Sequence, residues 1–306
     1  MLTVEVFWKG SHAVKKFFSL ILVMSLLLSL TLAARADLVQ SRAVIGADLT
    51  PEQVAMVYKL FGVSQNSVIQ LSLTNAEERS YLEGYIDSAM IGTRSVSCVY
   101  IELLPAGSGI DIATRNITWC TPEIIAGTLA TVGISDAKIV VAAPFESSGT
   151  AALAGIYKAY EDITAQKLDS TLKDVGTQEL TVTGELAEQI GSADSTSIVS
   201  ELKLILSETA KMDDAQIREK IVGIAGRYNV RLTETQINQL VSLCRSLEKL
   251  DPDSLKDRVE GVQSALGKVA GAKEQLSGFM TALSKAVNVL QELIDRIQAL
   301  LDNFSH

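Results

Sequence analysis

Histidine is nearly missing from this chain of 306 residues: there are two, His12 near the start and His306 at the end. Everything between them lacks an imidazole to shuttle protons near neutral pH or to ligate zinc. Ser-His-Asp triads, Cys-His nucleophiles and His-ligated zinc are therefore excluded from that stretch. Any enzyme chemistry there would have to use carboxylates, a Ser-Lys pair or tyrosine. Cysteine is scarce as well, with three residues, Cys98, Cys120 and Cys244. An odd number cannot all pair internally. Cys98 and Cys120 sit out of step across the hairpin expected there, so small buried thiols are the favoured reading. Basic side chains are in deficit, 27 against 36 acids, for a net charge of −9. Without residues 1–36, which hold four basic residues and one acid, 23 basic residues face 35 acids, a net charge of −12. That balance argues against nucleic acid, whose phosphates need a basic face. It favours solubility and suits cations.

Long apolar runs are absent with one exception. Lys15 and Lys16 close a short polar start, Phe17 to Ala34 is apolar apart from small hydroxyl residues, and Ala34-Arg35-Ala36 follows. A basic start, an apolar middle and a small-x-small exit describe a secretory signal with Asp37 as the mature N-terminus. The competing reading is an uncleaved membrane anchor, because 18 apolar residues is near the lower limit for a span. No cysteine lies near the cleavage position, which argues against a lipid anchor. The expected location is secreted or extracytoplasmic, with an N-terminal membrane tether if the signal stays on. What remains is expected to be soluble, with room for one large domain or two modest ones.

Composition shifts near residue 165. Before it, short β-branched runs alternate with short helical patterns. Thr50-Pro51-Glu52-Gln53 is a capping box with proline at the first helical position; Val54, Val57, Tyr58 and Phe61 line one face, and Gly62 stops the helix. A strand is expected at 68–73, a short acidic helix at 74–83, a hairpin of strands 95–104 and 110–119, a helix from Thr121 to Gly133, a buried strand at 137–143 and a helix at 150–164. From residue 68 the order is strand, helix, strand, strand, helix, strand. That is the order of a ferredoxin-like plait, a four-stranded antiparallel sheet with helices on one face. The fold class is thus α+β: residues 37–165 form an α/β domain and residues 166–306 a helical domain.

In the second segment, amphipathic helices are expected near 197–211, 214–227, 233–250 and 254–303. Thr233-Glu234-Thr235-Gln236 repeats the capping box of Thr50. In the last stretch Leu255, Val259, Val262, Leu266, Val269, Lys273, Leu276, Met280, Leu283, Val287, Leu290, Ile294, Ile297 and Leu301 step by four and three without a slip. A bundle core, an oligomeric coiled coil and a membrane-surface helix compete for it. The second flank (Ala265, Ala272, Phe279, Ala286, Leu293, Leu300) widens the apolar face and favours a bundle. Six acids and six bases between Lys256 and Asp302 count against a membrane surface. Homo-oligomerisation through this helix stays open.

Four segments carry a resemblance. Gly46–Gln53 (GADLTPEQ), Leu60–Val63 (LFGV), Ile91–Glu123 and Ala137–Glu161 are similar to the YpuA-like family, exported proteins of Gram-positive bacteria grouped as domain of unknown function 1002. The likeness is close over about residues 42–162 and looser over Ile224–Ile237 (IAGRYNVRLTETQI). It implies export and an unassigned biochemical role, and it supplies no catalytic residues.

The candidate ligand site is Ser147, Ser148, Gly149 and Thr150, between a strand and a helix. Backbone N–H groups at a helix start hold anions, and hydroxyls assist; plain helix capping is the alternative. No Gly-Lys-Ser/Thr follows, so this is no Walker motif. A Ser-Lys hydrolase pair would join Ser147 or Ser148 to Lys138 or Lys158. Arg94 and Arg115, if opposed across the hairpin, would receive a carboxylate or phosphate; surface pairing with Glu102 or Asp111 is the alternative. Trp119 is either a surface aromatic for sugar stacking or buried. Asp213-Asp214 and Asp251-Pro252-Asp253 lack EF-hand spacing and fit helix-dipole pairing. No catalytic residue, metal site or cofactor is assigned. The reading is a non-catalytic binding or interaction protein of the cell envelope with an unidentified envelope or protein partner. The alternative is a His-independent hydrolase acting on envelope material.

Overall fold

The computed structural model describes residues 40–264. Five strands, β1 (Ser41–Gly46), β2 (Ile69–Leu73), β3 (Cys98–Leu103), β4 (Ile110–Ile117) and β5 (Ala137–Ser147), form one sheet in the order β2-β1-β3-β5-β4. β1 and β2 run parallel, joined by helix α1 (Pro51–Phe61). β4 and β5 also run parallel, joined by helix α4 (Pro122–Val132). β3 runs antiparallel to both of its neighbours, β1 and β5, and links the two crossover units. Mixed α+β architecture thus stands. The four-stranded antiparallel plait does not.

Two features overturn the plait. β1 is a fifth, central strand, buried at all six positions; Ser41, Arg42 and Gly46 dilute its apolar signal to Ala43-Val44-Ile45. The expected hairpin is also not made, because β5 inserts between β3 and β4. Five consecutive residues of β5, Ile139–Ala143, are buried. A strand buried on both faces needs a hydrogen-bonding neighbour on each side. β4, with Asp111, Arg115 and Asn116 exposed, takes the edge.

Alternation along the strands sends side chains to two faces. Ala43, Ile45, Cys98, Tyr100, Val140 and Ala142 pack under α1 against Val57, Tyr58 and Phe61. Val44, Val99, Ile101, Ile139 and Val141 face the other layer, which holds α2 (Asn75–Leu82), α3 (Ser88–Ile91), α4 and α5 (Ala151–Thr164). Beyond α5 come α6 (Ser170–Ile190), α7 (Ser192–Leu204), α8 (Leu206–Thr209), α9 (Asp214–Arg227) and α10 (Glu234–Leu247). Residues 252–264 are also helical; the remainder of the expected 254–303 helix, like the 1–36 signal, lies outside the described residues. One hydrophobic cluster crosses residue 165, joining Ile139, Leu129, Leu180, Leu202, Leu243 and Val262.

α6 lies outside the four stretches expected to be helical. Its buried side includes Gly176, Thr177, Thr181, Thr183 and Gly184, which carry little apolar periodicity. Asp169 caps it through the N–H groups of Thr171 and Leu172. Small residues let α6 approach closely: a Cβ on Gly184 would stand 2.3 Å from the Trp119 ring. Trp119 is accordingly buried, and so are the three free cysteines. Burial pushes the thiol of Cys98 up to about 12 and that of Cys244 up to about 11. The Thr50, Thr74, Asp213 and Thr233 capping boxes are all formed.

Candidate functional site

Four of the five strands point the same way, and the carboxyl ends of β1 and β5 lead to opposite faces of the sheet. Crevices at such strand ends are the usual ligand sites of open α/β sheets. A cavity of about 260 Å³ lies there. Its walls are Glu78 from α2, Met90 and Ile91 ending α3, Gly92 to Arg94 after it, Val96 and Ser97 leading into β3, Phe145 and Ser147 ending β5, Ser148 just beyond, and Thr150 and Ala151 opening α5.

The Ser147–Thr150 corner is held from β4. Thr118 N–H donates to Ser147 O at 2.9 Å, and the N–H groups of Trp119 and Cys120 donate to Ser148 O at 3.2 and 3.0 Å. Gly149 has φ +89°, and a Cβ there would meet Ile117 Cγ2 at 2.5 Å. Only glycine fits that turn. Fixing the corner turns three hydroxyls toward neighbours. Ser147 Oγ lies 3.1 Å from Ser97 Oγ, Ser148 Oγ donates to Met90 O at 3.3 Å, and Thr150 Oγ1 donates to Glu78 Oε1 at 2.8 Å.

Glu78 is the unusual member. It is 1% exposed, and its Oε2 has no hydrogen-bond partner among the described residues. Asn75, one turn earlier, pulls the carboxyl down as a hydrogen-bonding neighbour, yet its Nδ2 completes no hydrogen bond of ordinary geometry. Burial dominates and pushes the Glu78 carboxyl up to about 7, against smaller downward pulls from Thr150, Asn75 and Arg79. Arg79 spends its donors on Asn75 Oδ1, Ser88 and Gly92 O. Arg94, exposed at the rim, donates through Nη2 to Asp48 O at 2.8 Å.

The structure therefore brings Ser147, Ser148, Thr150 and Arg94 to one cavity, with Gly149 setting their turn. Arg115 is not there. With β5 between β3 and β4, the hairpin that would oppose Arg94 and Arg115 does not exist; Arg115 is exposed on the edge strand, beside Ala142 of β5, and donates to Thr114 O. Neither serine finds its lysine. Lys158 binds Ser72 O and Glu77 Oε1 at 2.6 and 2.5 Å in a separate cavity. Lys138 stands nine residues back along β5, roughly 30 Å at strand rise. Glu78 and Ser97 escaped the sequence reading. Helical spacing does hold the signal for Glu78: Glu77 closes the capping box, while Glu78 falls four residues before the buried Leu82 and shares its face.

A second polar cluster is internal. Lys203, 1% exposed, reaches Glu179 Oε1, Gly127 O and Thr131 Oγ1 at 2.8, 2.9 and 3.3 Å, while Thr131 also donates to Glu179 Oε2. Every hydrogen bond in it joins two of the helices α4, α6 and α7, as a structural pair would. Among the described residues no His, Cys, Asp and Glu group is arranged to hold a metal ion, and no helix is long and apolar enough to cross a membrane.

A family model described as "Protein of unknown function (DUF1002)" matches residues 45–264. "Uncharacterized protein YpuA" of Bacillus subtilis (strain 168) is 34% identical over 278 residues, spanning 90% of this chain and 91% of that one. No solved structure matches.

Proposed function

This chain belongs to the DUF1002 family of proteins of unknown function, and from that premise we propose that it is an exported, non-catalytic binding protein of the cell envelope whose ligand site is the Glu78–Arg94 cavity. The observation that carries the reading is Glu78 Oε2, a buried acceptor without a donor among the described residues, in a cavity lined by five hydroxyl residues. An unmade hydrogen bond to a buried polar atom costs about 1–3 kcal/mol, and a ligand that donates there recovers it. Residues of strained conformation or unsatisfied polarity gather at binding sites because the rest of the fold over-determines them.

Binding is preferred to hydrolysis on chemical grounds. Nucleophilic catalysis by serine needs a base in hydrogen-bond reach. Ser147 faces Ser97 and Ser148 faces a carbonyl, and the one buried carboxyl of the cavity receives a hydrogen bond from Thr150 at Oε1 and none from either serine. Export rests on the apolar Phe17–Ala34 segment and the Ala34-Arg35-Ala36 exit. N-terminal sequencing of the protein recovered from the medium and envelope of expressing cells tests it. Asp37 as first residue is expected; recovery from the cytosol with Met1 in place refutes export, and Met1 in the membrane fraction refutes cleavage in favour of a tether. The binding site is tested by amide chemical-shift mapping of purified protein against small amino acids, amines, carboxylates and sugars. Perturbation centred on Gly92, Ser148 and Ala151 is expected, and perturbation elsewhere contradicts the assignment.

A further inference from the structure

We propose that the cavity takes the ammonium group of a small zwitterion of the free amino acid class, with the ligand's carboxylate toward Arg94. This deepens the binding reading above and rests on it. The interior end of the cavity offers acceptors: Glu78 Oε2 is unpartnered, and the hydroxyls of Ser97, Ser147 and Ser148 can each accept. No lysine or arginine of the described residues forms an ion pair with Glu78; Arg79, the nearest to act on it, places its donors on Asn75, Ser88 and Gly92 instead. A buried carboxylate without a cation is costly. An ammonium supplies both the missing charge and three donors.

The outer end has the opposite chemistry. Arg94 is exposed, holds only a backbone carbonyl with Nη2, and makes no ion pair among the described residues. Guanidinium donors in that position match a carboxylate. Phe145, 43% exposed, supplies an apolar wall at the cavity. The volume, about 260 Å³, lies just under the ~300 Å³ at which ordinary small-molecule pockets begin, which suits one small molecule better than a polymer. A sugar hydroxyl would also satisfy Oε2, but it brings no charge to either end. The pairing of acceptor-rich interior and cationic rim selects the zwitterion.

Calorimetric titration of the purified full chain with alanine, ethylamine, acetate and glucose tests the proposal, with E78Q and R94Q as variants and their melting curves as fold controls. Gln at position 78 keeps the shape and removes the anion. Alanine is expected to bind wild type and to lose roughly tenfold or more in E78Q. R94Q, a change at an exposed rim, should weaken alanine several-fold and leave ethylamine unchanged. Alanine binding that is indifferent to E78Q overturns the proposal. So does glucose binding in place of alanine with shifts at Ser148 and Ala151, although the cavity then survives as a ligand site. Absence of binding by all four probes at millimolar concentration overturns the zwitterion and the cavity reading together. If E78Q fails to fold, the R94Q contrast between alanine and ethylamine decides: equal effects on both, or none on either, count against the proposal.

Discussion

α1 and α4 are built alike and live differently. Both connect two parallel strands, both start Thr-Pro-Glu, and both end at a glycine with φ near +80°, Gly62 and Gly133. Yet three of the 11 residues of α1 are buried against nine of the 11 in α4. Among the described residues α1 lies alone on its face of the sheet, with Met56 47% exposed. α4 is roofed by α6 and α7, so its outward side must also be apolar, small, or paired. Thr128 and Thr131 on that side are fully buried, and Thr131 joins the Lys203–Glu179 pair. The lesson is that one crossover motif serves as a surface layer or as a core element according to what is laid over it.

Breaking that contrast should be easiest at Lys203. Replacing it by Met strands Glu179 in the core and should cost about 3–5 kcal/mol by chemical denaturation, while Lys59→Met on exposed α1 should be close to neutral. A K203M/E179M double variant should recover part of the loss, since no charge is then left alone. Core truncation gives the next effect. Leu129→Ala in α4 should cost about 2–5 kcal/mol, and Met56→Ala on α1 within about 0.5 kcal/mol of zero. Equal costs at the two sites would dissolve the distinction.

Glu78 gives the pH dependence. Its folded carboxyl sits up at about 7, above the ordinary 4.5, so the native state holds that proton more tightly than the unfolded chain. Its contribution favours the fold at low pH and is lost as pH rises from about 4.5 through about 7, by up to about 3 kcal/mol. Unfolding free energies at pH 5 and pH 8 should show that E78Q removes this loss. Smaller again, Gly184→Ala should cost about 1–3 kcal/mol by driving a methyl into the Trp119 ring. Smallest are the caps: Thr50→Ala and Thr121→Ala should each cost about 1 kcal/mol in melting experiments, alike because the cap is local and indifferent to the roof.

What could be read from the chain follows the same division. Local devices were legible: the Thr50 and Thr233 capping boxes, the glycine stops, and most strand and helix bounds in residues 50–164. Pairing was not. A six-residue link, Leu104–Gly109, is compatible with a hairpin, and nothing in its residues announces that β5 will come between the two strands. β1 was hidden by the polar Ser41 and Arg42, and α6 by its threonines and glycines, whose burial depends on partners distant in sequence. The candidate site divided similarly. The Ser147–Thr150 corner is a local signal of strand end and helix start. Its partner Glu78 lies 72 positions from Thr150, and only the folded sheet end brings them together.

The most direct test of the account is the titration of Glu78 itself, followed by carbon-13 NMR of its side-chain carboxyl and assigned by comparison with E78Q. In the free protein the midpoint should lie near 7, and saturating alanine should move it down, because an adjacent ammonium favours the charged carboxylate. A midpoint in the ordinary carboxylate range without ligand, or one that alanine leaves in place, would contradict it.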